Sequence, residues 1–163
     1  MRKLIIAMAI IGVCCVSGAA QSKDSRRGWG YAFGGVGALS DSGANPFFHV
    51  GGGGEGLVYK GLGIGGEIGY FAPFERGSDG VGLLSVNTAY HFGGDDPSKK
   101  VVPFVTGGYS LAFRDFASHG GNFGGGVQWW VRNRVALRFE VRDHVFSSDS
   151  PHAVSFRFGV SFR

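Results

Sequence analysis

The side chains that could do chemistry in this chain are its glycines, its histidines and a set of Arg and Glu residues. Between His49 and Phe71 runs HVGGGGEGLVYKGLGIGGEIGYF, with four consecutive glycines and, at Gly61, Gly63 and Gly66, the GxGxxG spacing of a dinucleotide fingerprint. That fingerprint works only where a strand leads into the glycines and a helix follows, its N-terminus meeting the pyrophosphate. Here EIGYFAPF follows, alternating and stopped by Pro73, so no helix starts. A P-loop needs Lys and then Ser or Thr directly after its last glycine. Gly51 and Gly56 have the spacing, but Leu57 comes next. Neither glycine cluster is built to hold a nucleotide.

His49, His91, His119, His144 and His152 are scattered without metal-ligand spacing and read as polar lining or loop residues. A hydrolytic relay needs Ser, His and a carboxylate on one face. His152 and Ser155 are close in sequence but on opposite faces of an extended chain. Glu140 and His144 share a face with no evident serine between them. No cofactor, metal or turnover is expected. The remaining candidates are Glu55, Glu67, Arg114, Arg138, Glu140, Arg142 and Arg157, charges set inside otherwise apolar or small-residue runs. Such charges must pair, and Arg suits carboxylates because it donates two parallel hydrogen bonds.

The elements that must position these charges begin after a leader. Arg2 and Lys3 precede the apolar 4–16 and then SGAA, the pattern of a secretory signal peptide with cleavage near Ala20. Both cysteines lie in that leader, so residues 21–163 are expected to form one domain without a disulfide or thiol chemistry. Two of the sixteen basic residues also belong to the leader. The other fourteen face twelve acidic ones, a balance of +2 that is no footprint for nucleic acid. Glycine makes up 31 of 163 residues, a content often seen in disordered chains, but 44% hydrophobic and 14% aromatic content requires a fold.

Period-two alternation fills eight runs: 28–39, 48–59, 62–71, 82–92, 101–114, 123–131, 135–142 and 154–162. Val135, Leu137, Phe139 and Val141 share one face, and Ala136, Arg138, Glu140 and Arg142 share the other. Turn-forming sequences separate the runs: SDSGANP, APFERGSDG, GGDDPSKK, DFASHGGN, RNR and SSDSP, with Lys60-Gly61 as the tightest. Eight antiparallel strands of this length can close into a barrel and remove their edges.

Alternation alone leaves open which face points inward, and three features select a membrane barrel with a polar interior. The polar face is rich in glycine, which suits a narrow lumen. Lys23, Lys60, Lys99 and Lys100 all sit in turns or the N-terminal tail, whereas a solvated face would carry lysines along its strands. Aromatic residues also gather at the strand ends, as membrane interfaces favour. Trp29, Tyr31, Tyr59, Tyr90, Trp129 and Phe162 are expected in one girdle, near the termini, and Tyr70, Phe113, Phe116 and Phe123 in the other. Phe104 and Trp130 have inward parity and could plug one end. Asp143 has lipid-facing parity and is expected at a strand's outer end.

The leader, the eight alternating runs, RNRVALRFEVRDHVF and the final VSFRFGVSFR together resemble the small outer-membrane β-barrels of the OmpA/OmpX type. The resemblance covers residues 21–163, although the usual terminal aromatic residue is replaced by Arg163. It implies an all-β, eight-stranded antiparallel up-and-down transmembrane β-barrel with periplasmic termini, a monomer inserted into outer-membrane lipid by the barrel-assembly machinery. The role it implies is structural or surface-interacting, with an extracellular ligand or partner left unnamed and the lumen filled by the charge set. A narrow porin-like channel, a lipid A-modifying enzyme and a secreted soluble ligand-binding barrel stand as alternatives.

Overall fold

The computed structural model describes residues 27–41, 43–74, 80–94, 96, 98–114, 117–147 and 152–163; the leader and Phe116 lie outside them. The strands are β1 (Gly28–Asp41), β2 (Gly43–Tyr59), β3 (Leu62–Pro73), β4 (Val81–His91), β5 (Val101–Phe113), β6 (Ala117–Arg132), β7 (Val135–Phe146) and β8 (His152–Phe162). Each pairs antiparallel with its sequence neighbour, and β8 returns to β1, closing the barrel. Closure satisfies every strand's hydrogen bonds within the wall, which a chain crossing hydrocarbon must do.

Strands of eleven to seventeen residues meet or exceed the ~9–11 that a tilted membrane strand needs. β2 and β6 extend furthest beyond what alternation predicts. β2 begins at Gly43, because the β1–β2 ladder runs on to Asp41↔Gly43 through SDSGANP. Pro46 is tolerated there because β3 pairs only from Phe47↔Pro73, so one side of β2 is an edge at that level. β6 begins at Ala117, where ASHGGN breaks the hydrophobic pattern but keeps its ladder to β5. Lys60 and Gly61 both have positive φ, 36° and 86°, the geometry that lets a two-residue turn match the twist of its strands.

The barrel is polar inside and apolar outside. On β8, Ala153, Ser155, Arg157, Gly159 and Ser161 are buried, while Val154, Phe156, Phe158, Val160 and Phe162 are exposed. The same order holds on β4, where Ser85 and Asn87 are buried between exposed Leu84, Val86 and Tyr90. A contiguous apolar wall of this extent has no stable state in water, since soluble monomers rarely expose more than a few hundred Å² of it. It faces lipid.

β1 corrects one expectation. Trp29 and Tyr31, assigned to a lipid-facing girdle, are each only 4% exposed, and Phe33 beside them is 8% exposed. All three point into the lumen. Register requires it: Tyr31 is opposite Gly53 and Ser161, and Phe33 is opposite Gly51 and Gly159, so neighbouring inward glycines make room for rings.

Candidate functional site

Six of the seven candidate charges meet in the middle of the lumen. Arg157 on β8 grips Glu67 on β3 with two bonds, Nη1 to Oε1 at 2.6 Å and Nη2 to Oε2 at 2.9 Å. Its Nη2 also donates to Glu140 Oε2 at 2.9 Å. Glu140 accepts from Arg142 Nε at 2.6 Å and Arg138 Nε at 3.0 Å. Arg138 Nη1 lies 3.6 Å from Glu55 Oε2, and Arg142 Nη1 lies 3.7 Å from Glu67 Oε2. Tyr31 donates its hydroxyl proton to Glu67 Oε2 at 3.1 Å, and His91 Nε2 contacts Glu55 Oε1. Three carboxylates thus face three guanidiniums, and their formal charges cancel. None of the six is more than 9% exposed.

Desolvating six charges is costly, so removing a single partner leaves a stranded charge. Aromatic rings take up the guanidinium faces. Arg157 lies 3.9 Å from the Phe33 ring centroid, and Arg138 lies 4.7 Å from that of Tyr31 and 4.1 Å from that of Phe104. The inversion of β1 therefore serves the network directly.

Glycines make the crowding possible. Each of the six charges has a glycine directly across one strand boundary: Glu55↔Gly65, Glu67↔Gly53, Arg138↔Gly159, Glu140↔Gly126, Arg142↔Gly124 and Arg157↔Gly35. A Cβ at Gly53 would stand 2.9 Å from the Tyr31 hydroxyl, and one at Gly126 would stand 3.0 Å from the Phe104 ring. The clusters that imitate nucleotide fingerprints are clearance for Glu55, Glu67 and Tyr31.

The lumen is filled on both sides of this layer. Toward the end with both termini, Trp29 meets Trp130 edge-on at 6.2 Å between centroids and His91 at 5.0 Å, with Val102, Ala136 and Leu57 around them. Phe104 stacks on His91 at 5.3 Å. Phe104 and Trp130, set inward by parity, are 2% and 4% exposed. Toward the other end, Ser110 Oγ lies 2.9 Å from Ser85 Oγ and 3.1 Å from His144 Nδ1, and it accepts from Asn122 Nδ2 at 2.8 Å. Asn87, with its amide oxygen turned to Arg142 Nη1, accepts from it at 3.0 Å. His49 packs between Phe33 and Phe71.

Sequence reading missed the Ser110–His144 pair because the partners are 34 residues apart on β5 and β7. The pair is not a relay. His144 Nε2, which a carboxylate would have to orient, has no partner, and both side chains are sealed in the lumen. Among the described residues no group of three or more His, Cys, Asp or Glu is placed to hold a metal.

Arg114, the seventh charge, lies outside the network. It follows the end of β5 and is exposed, because the strand has left the barrel before its parity can carry it inward. Asp143 has outward parity on β7, and His152 Nδ1 meets its Oδ2 at 2.7 Å. Of the other girdle residues, Tyr59, Tyr90, Phe123, Trp129 and Phe162 are exposed on the outer wall, while Tyr70 and Phe113 are partly covered.

No family model and no curated protein matches the chain. Solved structures do match its fold. Neisserial surface protein A superposes with a TM-score of 0.71 at 16% identity, covering 86% of this chain and 99% of that one. The N-terminal β-barrel domain of Pseudomonas aeruginosa OprF superposes with a TM-score of 0.60 at 14% identity, covering 85% and 100%. Ail, the attachment invasion locus protein of Yersinia pestis, gives 0.56 at 10% identity over 86% and 99%. Built on a closed antiparallel wall with a polar interior, the chain has the eight-stranded fold of the small outer-membrane β-barrels.

Proposed function

We propose that the chain is a monomeric bacterial outer-membrane protein with a structural or surface-interacting role and a lumen closed to solutes. The observation that carries this reading is the neutral network of three carboxylates and three guanidiniums spanning the middle of the barrel. A conducting lumen keeps its charges hydrated; these are bonded to one another and packed under rings. In this reading residues 1–20 are the cleaved leader, the barrel-assembly machinery reads the alternating β8, and both termini are periplasmic. The β1–β2, β3–β4, β5–β6 and β7–β8 connections then face outward. One protein of this fold is described as a surface protein and another as an attachment invasion locus protein. Such contacts fit the outward connections, not the sealed interior.

Planar-bilayer recording of the refolded protein tests the reading: no steady conductance is expected, and a large steady conductance would overturn the closed lumen. Cell fractionation is expected to place the protein with the outer membrane, showing a heat-modifiable gel shift. Recovery as a freely soluble protein would remove the membrane assignment. Incubation with lipid A is expected to release no acyl chains.

A further inference from the structure

The two ends of the barrel differ in charge. At the end carrying both termini every connection supplies cations: Arg27 before β1, Lys60 between β2 and β3, and Lys99 and Lys100 before β5. Arg132 and Arg134 flank the β6–β7 turn, and Arg163 follows β8. All seven are exposed. Only Asp95 and Asp96 offset them in the sequence between β1 and β8. Asp96 accepts bonds from Ser98 within its own turn, at 2.9 and 2.6 Å. In the sequence joining β3 to β4, β5 to β6 and β7 to β8 the balance reverses, with Arg76 and Arg114 against Glu75, Asp79, Asp115 and Asp149.

We propose that the basic end is a headgroup collar for anionic phospholipids, a ring of cations holding lipid phosphates around the rim of the leaflet that this end enters. Three observations favour lipid over another anion. The cations are spread around the whole circumference, one or two per connection, so their ligands must also surround the wall. A single soluble anion needs convergent cations. Directly below the ring lies an outward aromatic band: Tyr59, Tyr90, Phe92, Trp129 and Phe162 are 42–64% exposed. Rings at this level mark the interface where headgroups sit, so the cations fall at phosphate depth. Local contacts tie cations to that band. Lys60 Nζ lies 5.4 Å from the Tyr59 ring centroid, and Val101, the residue after Lys100, pairs with Trp129. Arg163 directly follows Phe162 of that band, and its Nε donates to Asn133 O at 2.5 Å.

The inference rests on the membrane reading but not on the orientation, because a symmetric vesicle presents the same lipid to either end. Trp129 is a native reporter: it is 46% exposed at the collar, while Trp29 and Trp130 are each 4% exposed. The refolded chain is placed in vesicles holding equal mole fractions of brominated phosphatidylglycerol or brominated phosphatidylcholine, and tryptophan quenching is compared. At low salt the anionic lipid is expected to quench about twofold or more strongly, with the preference shrinking as salt screens the rim. Replacing Lys60, Lys99, Lys100, Arg132 and Arg134 with Gln together is expected to remove the preference while leaving the heat-modifiable fold intact. Equal quenching by both lipids at low salt would overturn the collar, as would a preference that survives the five substitutions. Loss of the preference on adding millimolar glycerol phosphate would also overturn it, by showing a site for free anions. Failure of either brominated lipid to quench would instead count against the membrane reading. Orientation is read separately, by labelling a Lys60→Cys variant with an impermeant maleimide in intact and permeabilised cells.

Discussion

β8 and β1 are neighbours in the closed wall, both alternate with period two, and they turn opposite kinds of residue inward. β8 sends Phe156, Phe158 and Phe162 to lipid and keeps Ser155, Arg157 and Ser161 inside. β1 keeps Trp29, Tyr31 and Phe33 inside and leaves Ala32 and Val36 on the outer wall. Hydrophobicity therefore does not choose the face of β1. Space and charge do: inward glycines on β2 and β8 leave room for the Tyr31 and Phe33 rings, and both rings cover guanidiniums. In so narrow a barrel, one strand supplies aromatic bulk where its neighbours supply charge.

The largest test of this division removes the charge that crosses it. Arg157→Ala removes the guanidinium that hydrogen-bonds both Glu67 and Glu140 and is expected to destabilise the barrel by about 3–5 kcal/mol. Urea unfolding followed by the heat-modifiable gel shift measures it. Arg114→Ala, outside the network, is expected to stay within about 0.5 kcal/mol. An equal loss in the two variants would mean that the network does not hold the interior.

Next come the rings. Phe33→Ala is expected to cost about 3 kcal/mol or more by the same measurement, as for a large core truncation. Phe158→Ala is expected to cost less, because lipid chains can fill the gap it leaves on the outer wall. The reverse order would return β1 to the lipid face.

Adjacent glycines sharpen the comparison further. Gly35 faces Arg157, and a Cβ there would overlap the β8 backbone, so Gly35→Val is expected to cost about 1–3 kcal/mol. Gly34 points outward with nothing within 4 Å of such a Cβ, so Gly34→Val is expected to be close to neutral. The smallest effect belongs to Tyr31→Phe, which removes only the proton donated to Glu67 and is expected to cost about 1 kcal/mol. No change at all would leave Tyr31 acting solely as a ring under Arg138.

The eight strands, their antiparallel order and the inward parity of Glu55, Glu67, Arg138, Glu140, Arg142 and Arg157 were legible in the sequence. Period-two alternation is a local property, and turn residues punctuate it. Strand ends were less legible. ASHGGN and SDSGANP look like turns, yet both continue ladders, because a strand that has cleared the lipid band no longer needs alternation to persist. Arg114 was misplaced for the same reason: parity predicts a direction only while the wall continues. The Ser110–His144 contact left no sequence signal, since it joins strands that are not neighbours.

The sequence by itself determined that this chain is a β-barrel with two unlike faces and that its buried charges must find one another. Those are consequences of extended backbone geometry and of the cost of an unpaired ion in low dielectric. Only the tertiary structure decided that β1 turns its rings inward, that Glu140 accepts from three arginines, and that each of the six charges has a glycine across one strand boundary. Cross-strand register sets those relations. It follows from closing all eight strands at once, so it is a property of the whole barrel rather than of any single run of residues.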